Sequence, residues 1–126
     1  MGPNRQIDQQ ANEAIAAWQS GDSDKAIAEL QTLVTVAPGD DRLTFLLGAY
    51  LWNAGRASDA VSYLRNAAES QPESERVARV LFHALWESGD TEAAAEHLRE
   101  FLAVNKVEDL EVVLRDVENR IAGGAS

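Results

Sequence analysis

Apolar residues along this chain recur at offsets of three and four, with polar positions between them. Ala26, Leu30, Leu33 and Val34 form one such set, Ala60, Leu64, Ala67 and Ala68 a second, and Ala94, Leu98, Phe101 and Leu102 a third. On a helix of 3.6 residues per turn each set falls on a single stripe, the mark of an amphipathic helix with one buried face. No segment shows the two-residue alternation of a half-buried strand, so the pattern predicts an all-α protein.

The stripes repeat with a fixed period. Trp18, Trp52 and Trp86 lie 34 residues apart, and Gly21, Gly55 and Gly89 follow each of them by three residues. Ala26, Ala60 and Ala94 keep the same spacing, as do Leu30, Leu64 and Leu98; Pro38 and Pro72 share it, with Lys106 in the third place. Five columns in one register define three blocks without insertion or deletion, residues 7–40, 41–74 and 75–108, after an N-terminal extension of residues 1–6. Each block predicts two helices: first helices near 5–20, 41–54 and 75–88, and second helices near 24–37, 58–71 and 91–104. The glycines fall between the two, where a helix commonly ends in a left-handed residue. Pro38 and Pro72 stop the second helices, while Asp40 or Asp41, and Ser74, are suited to cap the next first helices.

Beyond the third block, Val107, Leu110, Leu114, Val117 and Ile121 step by three and four, and Glu108, Glu111, Arg115 and Glu118 take the other face. This predicts a seventh helix over 109–122, with Asn105 and Glu108 spaced as a capping box and a frayed tail over 123–126. A stack of helix pairs leaves its last member with an uncovered apolar side, and a terminal helix is its usual cover; a self-associating seam is the alternative.

The period, the glycine, the alanine, the large apolar residue four places on and the proline resemble the tetratricopeptide repeat family. The likeness covers Ile7 to Glu108 and is fullest in the middle block, which has Leu47-Gly48, Ala60, Leu64, Ala67 and Pro72. Glu13 stands where the family prefers leucine, Phe82 occupies a small-residue position, and Gln10, Thr44 and Ala78 replace the family's early aromatic. The resemblance implies a right-handed superhelical solenoid of three antiparallel helix pairs plus a capping helix. Its concave wall would be built from the first helices and would hold a segment of another protein. It implies an adaptor, scaffold or co-chaperone-like role and no catalysis.

Carried onto this sequence, that wall takes Asp8, Ala11, Ile15 and Trp18 from the first block. It takes Arg42, Phe45, Ala49 and Trp52 from the second, and Arg76, Arg79, His83 and Trp86 from the third. The groove residues expected to meet a partner are Ile15, Trp18, Arg42, Phe45, Trp52, Arg76, Arg79, His83 and Trp86. Trp and Arg are the types most enriched at binding hot spots, so the expected ligand combines apolar or aromatic anchors with acidic residues. Each indole ring either fills the seam between adjacent first helices or touches ligand, and a large ring can do both. A carboxylate clamp like that of some relatives is not expected, because Ala11, Ile15, Leu46, Arg76 and Val80 hold its positions and only Arg76 has suitable chemistry.

Composition narrows the remaining classes. An apolar fraction of 45% and a charged fraction of 25% over 126 residues are those of one globular domain. A net charge of −10 argues against nucleic acid and anionic membrane as partners. The absence of cysteine excludes disulfides and thiolate metal sites. No apolar run approaches a membrane span, and the start does not resemble a signal peptide, so a cytoplasmic protein is expected. His83 and His97 fall on different helices, short of the three or four converging ligands of a metal site. Phosphate-loop and dinucleotide motifs are missing, and neither cofactor nor metal is expected. The other readings are a homo-oligomeric self-assembly unit and a secretion-type chaperone for an aggregation-prone subunit.

Overall fold

The computed structural model describes residues 3–124, and among them it contains seven helices and no strand. They are α1 (Pro3–Gln19), α2 (Ser23–Val36), α3 (Asp41–Asn53), α4 (Ala57–Ser70), α5 (Glu75–Glu87), α6 (Thr91–Val104) and α7 (Glu108–Gly124). α1 thus begins within the stretch read as an extension, and α7 reaches Gly124; Ala125 and Ser126 of the expected tail lie outside the described residues. Each helix packs mainly on its chain neighbours, α3 also touches α5, and α4 and α6 make no sustained contact with each other. The result is a linear stack, a solenoid.

The hairpin turns are built alike. In the first, the Gly21 N–H donates to the Trp18 carbonyl at 3.0 Å and the Asp22 N–H to that of Ala17 at 2.9 Å. The pairs Gly55–Trp52 with Arg56–Leu51, and Gly89–Trp86 with Asp90–Leu85, repeat this closure. It is the Schellman arrangement, which satisfies the last helical carbonyls at the cost of one left-handed residue. The three glycines take it, with φ of +92°, +82° and +93°.

Asp22 and Asp90 then cap α2 and α6 by accepting from the N–H groups of Lys25 and Ala93. Arg56 holds the same place before α4 and provides no side-chain cap. Of the two candidates before α3, Asp40 is the cap, and Ser74 caps α5. Asn105 acts differently from the expected capping box. Its amide donates back to the carbonyls of Phe101 at 3.0 Å and Pro72 at 3.2 Å, and α7 starts only at Glu108. Asn105 therefore finishes α6 where the proline of the other blocks is missing.

The core follows the stripes. Leu30, Leu64 and Leu98 are fully buried, as are Ala26, Ala60 and Ala94, whose small side chains let helix backbones close up. Burying a leucine contributes about 1.5–3 kcal/mol. Interior first helices are buried more widely than a single stripe: α3 covers seven residues from Leu43 to Leu51, and α5 six from Val77 to Leu85, because neighbours pack on several sides. Gly48 marks a close approach of α3 and α4, for a Cβ there would lie 2.8 Å from the Leu64 side chain. At the far end, Leu110 and Val117 of α7 are buried and α7 packs on α6, covering the stack. No helix among the described residues is long and apolar enough to cross a membrane.

Candidate functional site

The first helices α1, α3 and α5 bring together four of the nine expected groove residues. A cavity of about 350 Å³ opens across α1, α3 and the start of α5, with Ile15, Arg42, Phe45 and Arg76 in its lining. Ala11, Asn12, Leu46 and Val77 complete its walls, and Gln71 and Ser74 of the α4–α5 turn close one side. No carboxylate lines it. Leu46 is one residue beside the strip read from sequence; the contribution of the turn has no signal in helical periodicity.

The arginines are not equivalent. Arg42 donates to Asp8 at 2.7 Å and lies 3.7 Å from Asp40; the Asp8 hydrogen bond is the main cause that raises the Arg42 pKa above its ordinary value. Arg79 is bound to Glu75 at 2.7 Å and reaches Asp109 of α7 at 3.7 Å. Arg76 instead rests over the Phe45 ring, 5.0 Å from its centroid, and forms no ion pair among the described residues. A guanidinium over an aromatic face gains cation–π attraction while its N–H donors stay available. The expected basic strip is thereby reduced to one uncommitted cation beside an apolar cavity.

The tryptophans lie farther along the same helices and do not line the cavity. Trp18 stacks on Tyr50 of α3, centroids 4.1 Å apart and planes 5° off parallel. Desolvation of Tyr50 there raises its hydroxyl pKa. Trp52 stacks on His83 of α5 at 5.6 Å, and its indole N–H donates to Glu87. Trp86 packs on Phe82 of its own helix at 6.1 Å. All three rings are half-buried. Instead of a continuous ladder, two of the indoles pack against ring partners one first helix further on. Tyr50 and Glu87 were not among the expected site residues, because their contacts cross between helix pairs.

Outside this wall, His97 of α6 donates from Nε2 to the Ala78 carbonyl at 3.0 Å. Burial is the main influence on it and lowers its pKa. Among the described residues no group of three or more metal-binding side chains converges.

Stacked helical hairpins with an apolar cavity across their first helices define a helical-repeat protein of the interaction class. Residues 12–75 and 51–108 each match a tetratricopeptide repeat family, the first over half of the chain, and the chain belongs to that family. No curated protein sequence matches it. Among solved structures it resembles a MamA protein, with a TM-score of 0.80 at 20% identity, covering 91% of this chain and 63% of that one. The chain thus spans less than two thirds of that relative. It also resembles the type III secretion translocator chaperone SycD of Yersinia enterocolitica, with a TM-score of 0.79 at 20% identity over 97% of this chain and 90% of that one. A second SycD structure, in complex with a peptide of the translocator YopD, gives 0.76 at 21% identity over 97% and 96%.

Proposed function

We propose that the chain is a non-catalytic interaction module of the cytoplasm, whose three units, residues 7–40, 41–74 and 75–108, hold a segment of another protein along the first helices. The observation that carries this reading is the carboxylate-free cavity in which Arg76, seated on Phe45, keeps its N–H donors uncommitted beside Ile15 and Leu46. That combination suits an apolar side chain followed closely by a carboxylate: the former enters the cavity, and the latter takes charge-assisted hydrogen bonds from the guanidinium. The likeness to a chaperone solved with a bound peptide supports the same use of the fold.

The test is selection of 12-residue peptides from a random library on the wild-type chain, followed by affinity measurement against Arg76→Glu and Ile15→Asp. Peptides pairing a large apolar residue with Asp or Glu should be enriched, and each substitution should weaken them at least ten-fold while helicity is kept. Failure to enrich any apolar–acidic peptide whose affinity depends on both residues refutes the reading. Trp52→Ala addresses the indoles separately. If the ring also anchors ligand, the loss on binding is on the order of 2 kcal/mol and exceeds the loss of stability; equal losses assign the ring to the α3–α5 seam.

A further inference from the structure

A second set of openings lies between the two helices of each pair, away from the cavity just described. Three crevices, of about 190, 310 and 230 Å³, fall in one register along the stack. Gln10, Thr44 and Ala78 take the same place in them, 34 residues apart, as do Glu29, Tyr63 and His97, and then Thr32, Asn66 and Glu100. Their first-helix wall is low because Gln10, Thr44 and Ala78 carry no ring. The second and third stay open between pairs because α2 makes no sustained contact with α4, nor α4 with α6.

Their chemistry is opposite to that of the first-helix cavity. Glu13 and Glu29 line the first crevice, Asp41 and Glu69 the second, and Glu69 and Glu100 the third. No lysine or arginine lines any of them; Arg65, whose charge is felt at His97, is outside the lining. None of these carboxylates forms an ion pair among the described residues. Oε2 of Glu29 is moreover buried with no hydrogen-bond partner. That oxygen is out of reach of an incoming group, so the carboxylates that a partner can meet are those exposed along the crevice rims. The walls also carry apolar surface, Val34 and Tyr63 in the second crevice and Ala68 and Val104 in the third, with Val104 80% exposed.

We propose that these crevices form a second docking surface, for a lysine- or arginine-bearing segment of a partner protein. The alkyl stem of each basic residue lies against the apolar wall and its charged head meets the rim carboxylates, the arrangement long cationic side chains favour. The shared register lets one segment use successive crevices, so each adds to the effective concentration at the next. The module then bridges two partners of opposite character.

The experiment titrates the ¹⁵N-labelled chain with three synthetic 12-residue peptides: alternating Lys-Ala, alternating 2-amino-3-guanidinopropionate-Ala, which keeps a positive charge at neutral pH but lacks the stem, and alternating Glu-Ala. The Lys-Ala peptide should shift the amides of Glu29, Glu69 and Glu100 saturably. The stemless peptide should bind at least ten-fold more weakly, and the acidic one should not bind. Glu29→Gln with Glu69→Gln and Glu100→Gln should lose at least ten-fold for Lys-Ala, whereas Arg76→Ala should leave that affinity unchanged. Equal affinity for the stemless peptide would reduce the effect to general attraction and overturn the proposal. Shifts confined to the first-helix wall would do the same, as would an unaffected triple variant. Concentration-dependent dimerisation without peptide, abolished by the triple variant, would also overturn it, since the crevices would then serve a second copy.

Discussion

Replacing Gly48 by alanine sets two effects of known sign against each other. In an exposed helix interior the change gains about 1 kcal/mol, because glycine gives up more backbone freedom than alanine. Here the added methyl would stand 2.8 Å from Cγ and Cδ2 of Leu64 and 3.4 Å from its backbone nitrogen. Leu64 is fully buried, so its side chain cannot swing into solvent. Relief requires α3 and α4 to part, and these two form the most extensive helix–helix contact among the described residues. Overpacking of this kind costs typically about 1–3 kcal/mol, and contacts below 3.0 Å onto a fully buried side chain take the upper part of that range, so the net effect is a destabilisation of about 1–2 kcal/mol. For a chain of this size that is a fall of roughly 3–8 °C in Tm. Urea unfolding followed by circular dichroism at 222 nm measures it, with Gly39→Ala as control. A Cβ at Gly39 meets nothing within 4 Å, so that variant should stay within about 0.5 kcal/mol of wild type. Leu64→Ala alone should cost about 2–5 kcal/mol. Added to Gly48→Ala it should cost about 1 kcal/mol less, since the two side chains contend for one space. A Gly48→Ala protein as stable as wild type or more so would refute the reasoning, because it would mean the two helices separate freely.

Gly55→Ala, at φ +82°, should destabilise by about 1–2 kcal/mol in the same assay, since a left-handed residue with a Cβ is strained. Arg56→Asn should stabilise α4 by about 0.5–1 kcal/mol, because Arg56 makes no cap where Asp22 and Asp90 do, and its backbone angles are close to theirs. Burial lowers the His97 pKa, so across the window below the unfolded value of about 6.5 the unfolded chain binds more protons than the folded one. This part of the stability is complete above that value and is lost as the pH falls through the window; His97→Gln, which can still donate to Ala78, should flatten that segment of the stability–pH curve relative to wild type.

The capping helix and the paired stacking followed from one-dimensional pattern because the forces behind them are local. A helix stripe depends on residues three and four apart, a Schellman turn on a glycine one turn beyond, and a stop on a proline. Asn105 escaped that logic. Its spacing to Glu108 matches a capping box, but its amide had two nearer carbonyls, one of them Pro72 from the preceding turn, and no local pattern reveals that competitor. The same holds within the site. Periodicity puts Arg42, Arg76 and Arg79 on one strip, yet Asp8, Asp40, Glu75 and Asp109 decide which guanidinium is committed.

The chain by itself determined that helices form, where they turn, and that they repeat, since these are set by backbone propensity and the period of apolar side chains. Tertiary structure alone decided what each indole stacks on, which arginine remains uncommitted and where cavities open. Those outcomes turn on distances of a few ångströms, most of them between residues on neighbouring helices, set by how far those helices can approach. Gly48 against Leu64, and Trp18 against Tyr50, are two such close approaches.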